Sequence, residues 1–187
     1  MNIFKRLCIL VGIIGITSLA WVGGGFGSRY WQEHEYSAKQ ESLTNYLLKQ
    51  MGTMAVGDAL KEFPLTYLNE TTVELSSIIS KGTLIMFAHP SCGACAGEVQ
   101  TLNRLIDNGL DPSQVIIIID GEMYDVSHFI SDHAPKVTVL YDAHSHYISQ
   151  YKISDTPFNL FIDSGMVIRS ILASAPSVSR LEDWFGM

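Results

Sequence analysis

The sequence predicts an α/β domain preceded by one N-terminal transmembrane helix. Three observations carry this prediction: an uncharged apolar run near the N-terminus, alternating strand and helix patterns from residue 54 onward, and a strand hairpin followed by a helix at the end. With 187 residues, of which 47% are hydrophobic and 17% charged, the chain has enough material for one domain and an extension.

The apolar excess is concentrated in residues 7–26, which contain no charge. This is about the length that a helix needs to cross a bilayer. Lys5 and Arg6 precede the run, which predicts a cytoplasmic N-terminus and an exported remainder. A cleaved signal peptide is the alternative, because small residues up to Ala20 could form a cleavage site. Since the apolar run continues past Ala20, residues 1–28 are predicted to be an anchor.

Residues 29–53 are predicted to form a helical linker next to the membrane. Tyr36, Leu43, Leu47 and Met51 recur along one helical stripe. A helix with this stripe would pack on the domain or hold it off the bilayer. A dimerising coiled coil is the weaker alternative, because the pattern lasts only two heptads.

The domain itself is predicted to span residues 54–187. A run of five β-branched residues within 114–120 is typical of a central parallel strand that is buried on both faces. In chain order, the predicted elements are a short hairpin at 63–75, a helical turn at 76–80, a strand at 83–88, a helix ending near 108–109, the strand at 114–120, a helix near 124–132, a strand at 136–141, a helix around 144–151, a hairpin of 158–163 with 166–171, and a helix at about 178–185.

The most informative motif is Cys92-Gly-Ala-Cys95, which follows the strand at 83–88 directly. On a helix the two cysteines are neighbours about 5–6 Å apart at Cβ, which is close enough for a disulfide. Ser91 is predicted to cap the helix, so that the Cys92 sulfur faces free backbone N–H groups and the positive end of the helix dipole. This position commonly lowers a thiol pKa from about 8.5 to roughly 3.5–7.5, which makes Cys92 the nucleophile. Cys95, one turn inside, is then the resolving thiol.

The other cysteine, Cys8, lies in the predicted membrane segment and cannot reach this pair. The exported part therefore has two cysteines in a compartment where disulfides persist. A disulfide that closes so short a loop constrains the unfolded chain little, which favours a redox role over a structural one. A structural zinc site would need four ligands, and the sequence has no second C-x-x-C.

The charge balance excludes nucleic acid as a partner. The chain carries 12 Lys and Arg against 19 Asp and Glu, and two of those cations precede the apolar run. Phosphate backbones and anionic bilayer surfaces would repel an exported part with this excess of acids.

Three motifs occur together in residues 54–187: the C-x-x-C at the start of a helix, Thr156-Pro157 ahead of an Asp-Ser-Gly hairpin, and an upstream segment, Val56-Gly-Asp58 to Phe63-x-Leu-Thr66. As a linked set they resemble the membrane-anchored thioredoxin-like proteins of the TlpA type. The resemblance implies a three-layer thioredoxin-like fold with a central mixed sheet, an N-terminal hairpin and an extra strand and helix at about residues 120–142.

The resemblance also implies roles for single residues. Cys92 attacks, Cys95 resolves, and Pro157 is a cis-proline that faces the disulfide. Thr156, immediately before it, pairs through its backbone with a substrate peptide. Glu98 matches the family's acid three residues after the second cysteine.

The chain departs from thioredoxin-type proteins at three positions near the motif. Ser91 stands where tryptophan is usual, His89 lies just ahead of it, and Met86 occupies the place of the buried aspartate of cytoplasmic thioredoxins. Glu98 is then the only nearby acid that the sequence offers for proton transfer. His89 is a candidate for contacting the substrate or tuning the thiolate, and an ordinary loop residue is the alternative.

The sequence predicts a thiol-disulfide oxidoreductase on the outer side of a bacterial cytoplasmic membrane. The Cys92 thiolate attacks a substrate disulfide and Cys95 displaces the released thiol, while the reverse order installs a disulfide. Neither a bound cofactor nor a metal ion is required, because the electrons reside in the cysteine pair. A reducing role is favoured and implies a membrane thiol electron donor, whereas an oxidising role implies an oxidase. The resemblance implies exported cysteine-containing proteins as substrates.

Two functions of other classes fit the motif less well. A thiol peroxidase requires a lone peroxidatic cysteine behind Pro-x-x-x-Thr/Ser-x-x-Cys, whereas Pro90 is only two residues before Cys92. A thioredoxin-like copper metallochaperone requires C-x-x-x-C and a downstream histidine, and the spacing here is one residue short.

Overall fold

The computed structural model describes residues 35–36, 38–48, 53–62, 64–79 and 81–187. The predicted anchor over residues 1–28 lies outside these ranges. Within them, no helix combines the length and the apolar character needed to cross a membrane.

In the described part of the chain, seven strands form one mixed sheet in the order β2-β1-β5-β4-β3-β6-β7. The central strands β3, β4 and β5 are parallel, whereas β6 runs antiparallel to β3 and β1 antiparallel to β5. The strands are β1 (Leu65–Thr66), β2 (Thr72–Val73), β3 (Thr83–Ala88), β4 (Val115–Ile119), β5 (Thr138–Tyr141), β6 (Phe158–Ile162) and β7 (Ile168–Leu172). The predicted short hairpin and the predicted central parallel strand are both present.

Helices cover both faces of this sheet. They are α1 (38–48), α2 (Gly93–Asp107), α3 (Met123–His133), α4 (His146–Tyr151) and α5 (Val178–Phe185). Apolar residues of α2, α3 and α5 pack on one face with Ile117 and Ile119 of β4, and those of α1 and α4 pack on the other face with Ile116 and Ile118. This alternation along β4 gives each face its own core, and the three-layer α/β arrangement is the one predicted.

The closing hairpin differs slightly from the prediction, because β7 begins at Ile168 rather than at Met166. Asp163 Oδ1 accepts hydrogen bonds from the backbone N–H groups of Gly165 (2.9 Å) and Val167 (3.0 Å). These bonds hold the chain in a turn through Met166, whose φ is 59°. The strand resumes only after that turn.

Helix α1 packs on the domain, but not through the predicted stripe. Leu43 and Leu47 are 59% and 50% exposed, whereas Leu48 is only 6% exposed and belongs to the core. Met51 lies outside the described residues. Residues 38–187 form one compact unit, so α1 is a part of the folded body.

Candidate active site

The C-x-x-C motif occupies the N-terminus of α2, immediately after β3 and a short loop. Cys92 itself is the N-cap residue, and its Sγ accepts the Cys95 N–H at 3.1 Å. The prediction that Ser91 caps the helix is therefore wrong. Ser91 instead bonds to His89, with its Oγ 2.8 Å from Nδ1 and its backbone N–H donating to the same nitrogen at 3.3 Å. The Cys92 sulfur nevertheless receives a helix N–H group, as the sequence predicts.

Cys92 and Cys95 form a disulfide, with their Cα atoms 5.2 Å apart. Cys95 is fully buried, whereas Cys92 remains partly exposed. A sulfur atom of another molecule can therefore reach Cys92 from solvent but not Cys95.

The Thr156-Pro157 peptide bond is cis, as predicted, and Pro157 is buried. The carbonyl oxygen of Thr156 lies 3.2 Å from Cys92 Sγ. The segment that approaches Cys92 Sγ is thus the predicted Thr156-Pro157 segment, although Thr156 lies 64 residues further along the chain.

A groove of about 540 Å³ opens beside Cys92. Its walls include His89 from the loop before α2, Asp120 from the end of β4, Ile148 from α4, and Asp155 and Thr156 from the loop before β6. The predicted substrate-contacting residues His89 and Thr156 therefore border the same space as the outer sulfur.

Glu98 lies one helical turn after Cys95, on the same face of α2. Its side chain is buried, and Asn159 Nδ2 donates a hydrogen bond to Glu98 Oε2 at 3.2 Å. Burial raises the pKa of Glu98 from 4.5 to about 8, and the hydrogen bond from Asn159 opposes this rise. The carboxyl group is consequently protonated at neutral pH.

Two buried acceptor atoms in this pair, Glu98 Oε1 and Asn159 Oδ1, have no hydrogen-bond partner in the described residues. A protonated carboxyl can donate to an amide oxygen while the amide N–H donates back. A proton on Glu98 would satisfy both atoms, so the polar environment agrees with the raised pKa. The second amide hydrogen of Asn159 bonds to the carbonyl oxygen of Ser174 at 3.0 Å.

A model of the AhpC/TSA family matches residues 56–171. The chain belongs to this family. It is 28% identical over 135 residues to the thiol-disulfide oxidoreductase ResA of Oceanobacillus iheyensis, an alignment that covers 69% of this chain and 70% of the relative. Together with the paired cysteines at the start of α2, these findings identify a thioredoxin-like thiol-disulfide oxidoreductase whose active site is Cys92–Cys95.

Solved structures agree on the fold of this AhpC/TSA-family chain. One is a secreted disulfide oxidoreductase of Mycobacterium tuberculosis that is homologous to Escherichia coli DsbE, with a TM-score of 0.56 and 19% identity over 66% of this chain and 94% of the other. Another is the thioredoxin domain of a thiol-disulfide oxidoreductase from Bacteroides vulgatus, with a TM-score of 0.61 and 16% identity over 71% of this chain and 99% of the other.

Asn159 is the site residue that sequence reasoning missed. It pairs directly with Met86 across the antiparallel β3 and β6 strands, so both side chains point to the α2 face. Met86 is fully buried in the core that contains Cys95. In this member of the AhpC/TSA family, the buried acid near the cysteines therefore comes from the helix rather than from the strand. The one polar residue within the apolar strand β6 was the signal that could have revealed Asn159.

The structure thus divides the predicted site residues into two groups. Cys92, His89 and Thr156 border the open groove, while Cys95, Glu98 and Pro157 are buried. Among residues 35–187 as far as they are described, no group of three or more His, Cys, Asp or Glu side chains is arranged to hold a metal ion.

Proposed function

We propose that this oxidoreductase reduces disulfides in exported proteins, with residues 1–28 anchoring it to the outer face of a bacterial cytoplasmic membrane. The observation that carries the proposal is the asymmetry of the disulfide, in which a reachable Cys92 is backed by a buried Cys95 and a buried Glu98. The charge-free run at residues 7–26 and the description of the mycobacterial relative as secreted support the location.

The surroundings of Cys92 favour the reducing direction. Strong disulfide oxidants owe their high potential to a stabilised reduced form. Here Asp120 and Asp155 line the groove with Cys92, and negative charges disfavour a thiolate. His89 directs Nδ1 toward Ser91, 3.3 Å from its backbone nitrogen and 2.8 Å from its Oγ. A less stabilised thiolate lowers the reduction potential and makes the pair a better electron donor.

The mechanism begins with the Cys92 thiolate, which attacks one sulfur of a client disulfide. The client S–S bond breaks, one client thiolate leaves, and a mixed disulfide with Cys92 forms. Thr156 presents backbone hydrogen-bonding groups to the client beside the reacting sulfur, and the buried cis-proline Pro157 follows it in the chain. These positions keep the client cysteine within reach of Cys92 Sγ.

Resolution requires the Cys95 thiol to lose its proton in a buried environment. With a pKa near 8, a minor fraction of Glu98 is ionised at neutral pH, and this carboxylate form accepts the Cys95 proton at little cost, because an ordinary thiol pKa is about 8.5. The Cys95 thiolate then attacks Cys92 Sγ, the second client thiolate leaves, and the Cys92–Cys95 disulfide forms with Glu98 protonated. Two electrons have passed to the client, and a membrane dithiol donor would restore them to the pair.

The direction is tested by the reduction potential of the Cys92–Cys95 couple. Full-length protein carrying Cys8→Ser, so that only this pair is counted, is equilibrated with dithiothreitol or glutathione buffers and read by thiol alkylation. A value near or below about −250 mV, close to that of thioredoxin, is expected for a reductant. A value near about −120 mV would show that the protein oxidises its clients and would overturn the reducing role.

A further inference from the structure

A second cavity, of about 180 Å³, adjoins the Cys92 groove. Residues of α1 form one wall, and the segment that leads to Pro157 forms the other. Ile153, Ser154 and Asp155 line both this cavity and the groove, so that the two spaces share a common wall beside Thr156. The exchange chemistry uses no residue of α1.

The second cavity is apolar at its base. Leu48, Ile153 and Phe158 line it and are almost fully buried, while Leu47 forms part of its rim and is half exposed. A cavity of about 150 Å³ with aliphatic and aromatic walls suffices to bind benzene. The cavity therefore has the size and the lining to accept the side chain of a phenylalanine or a leucine.

Polar contacts hold the α1 wall in position. Glu41 forms an ion pair with Arg180 of α5 and accepts a hydrogen bond from Ser170 of β7. Asn45 Oδ1 accepts the Val56 N–H at 2.9 Å. Because these bonds act along the same side of α1 as the buried Leu48, the cavity exists before any ligand binds.

We propose that this cavity is an apolar subsite of the exchange site, which binds a large apolar side chain close to the client cysteine. The inference rests on the proposed function, because it takes the clients to be polypeptides. An extended chain advances about 3.3 Å per residue and points alternate side chains to the same side. A client that lies along residues 153–156 would place in the cavity a side chain two or four residues from its cysteine. Folded proteins bury such side chains, so the subsite selects exported polypeptides that have not yet folded.

The test uses the full-length chain with Cys8→Ser and Cys95→Ser, reconstituted in lipid nanodiscs. The probes are short Gly/Ser peptides with one cysteine, held as a mixed disulfide with 5-thio-2-nitrobenzoate, and with a single Phe at each of the four positions on either side. The Cys92 thiolate attacks the peptide sulfur, the peptide remains bound as a mixed disulfide, and the coloured thiolate leaves. At one favoured position we expect Phe to raise the second-order rate constant about tenfold over Ala, in line with burial of an aromatic side chain.

Two leucines of α1 provide a matched pair of variants. Leu47→Ser, on the rim of the cavity, is expected to reduce the preference for Phe to less than about twofold, whereas Leu43→Ser, an exposed leucine outside the cavity, preserves it. No favoured position for Phe, or equal losses in both variants, would overturn the subsite and leave the exchange activity standing. If no peptide reacts while 5,5′-dithiobis(2-nitrobenzoate) does, the proposed function fails and the subsite with it.

Discussion

The two sides of the Cys92–Cys95 disulfide lie in different media. On the outer side, Cys92 borders a groove shared with His89 and Thr156 and open to solvent. On the inner side, Cys95 and Glu98 are buried in the α2 core. Ionic interactions in the groove are screened by water and salt, whereas a charge in the core meets a large desolvation cost. The outer side is therefore suited to recognising and attacking clients, and the inner side to controlling the proton.

The largest effect is expected when each sulfur is removed in turn. Cys92→Ser should abolish disulfide exchange, because the other cysteine of the motif, Cys95, is fully buried. Cys95→Ser should retain the attack and accumulate a mixed disulfide, visible as a slower band on a non-reducing gel. Cys8→Ser is the control and should exchange normally. Exchange by Cys92→Ser at the rate of the unmodified protein would contradict the assignment of outer and inner sulfurs.

The second effect concerns the stability of the oxidised protein. The pKa of Glu98 is about 8 in the folded state against 4.5 in the unfolded state. Between these two pH values the Glu98 carboxyl is ionised in the unfolded chain but protonated in the folded protein. The contribution of Glu98 to stability is therefore largest below pH 4.5 and falls until the pH passes about 8, by roughly 5 kcal/mol in total. Glu98→Gln should remove this fall, as measured by urea unfolding at about pH 5 and about pH 8.

The matched control for this prediction is Glu182→Gln, because Glu182 is an exposed acid on α5. Its dependence of stability on pH should follow that of the unmodified protein, since the Glu98 carboxyl stays in place. If Glu98→Gln and the unmodified protein lose stability in parallel as the pH rises, Glu98 is already ionised in the folded state. The pKa of Glu98 would then lie far below that of a thiol, and proton transfer from Cys95 to Glu98 would be strongly unfavourable.

The smallest effect on the rate of exchange is expected from substitutions on the outer side of the disulfide. His89→Ala should change the rate of exchange by less than about threefold, because the ring is partly exposed and bonds to Ser91 rather than to either sulfur. The measurement is the rate constant with a disulfide-bonded peptide between about pH 6 and pH 8. Ser91→Ala, which removes the hydroxyl partner of His89, should behave alike. A loss of tenfold or more would place His89 in the proton transfer.

The sequence predicted the parts of the site that depend on local spacing. Cys92 and Cys95 are separated by one helical turn, and Pro157 belongs to a recognisable turn before the final hairpin. The link between Glu98 and Asn159 spans 61 residues and depends on the pairing of β3 with β6. Register of that kind is set by the whole sheet, so the lone polar residue of β6 marks Asn159 as unusual but does not by itself reveal Glu98 as its partner.

Helix α1 shows a second limit of structure prediction from sequence. Its apolar stripe predicted packing through Leu43 and Leu47, but the helix buries Leu48 and half-buries the polar residues Glu41 and Asn45. Hydrophobic periodicity treats a glutamate as a surface residue. Here Arg180 compensates the charge of that glutamate, and this partner is remote in sequence.

The sheet also separates the two tasks of the molecule. Leu48, Ile153 and Phe158 belong to the core on one face, whereas Cys95 belongs to the core on the other. Substitutions at sites without shared neighbours are usually additive in free energy, which applies to Leu48 of α1 and Cys95 but not to residues 153–155, which border both the cavity and the groove. Client preference and the reduction potential of the Cys92–Cys95 couple can therefore change independently in evolution. A designer could retarget the enzyme by rebuilding α1 and leave its redox couple untouched.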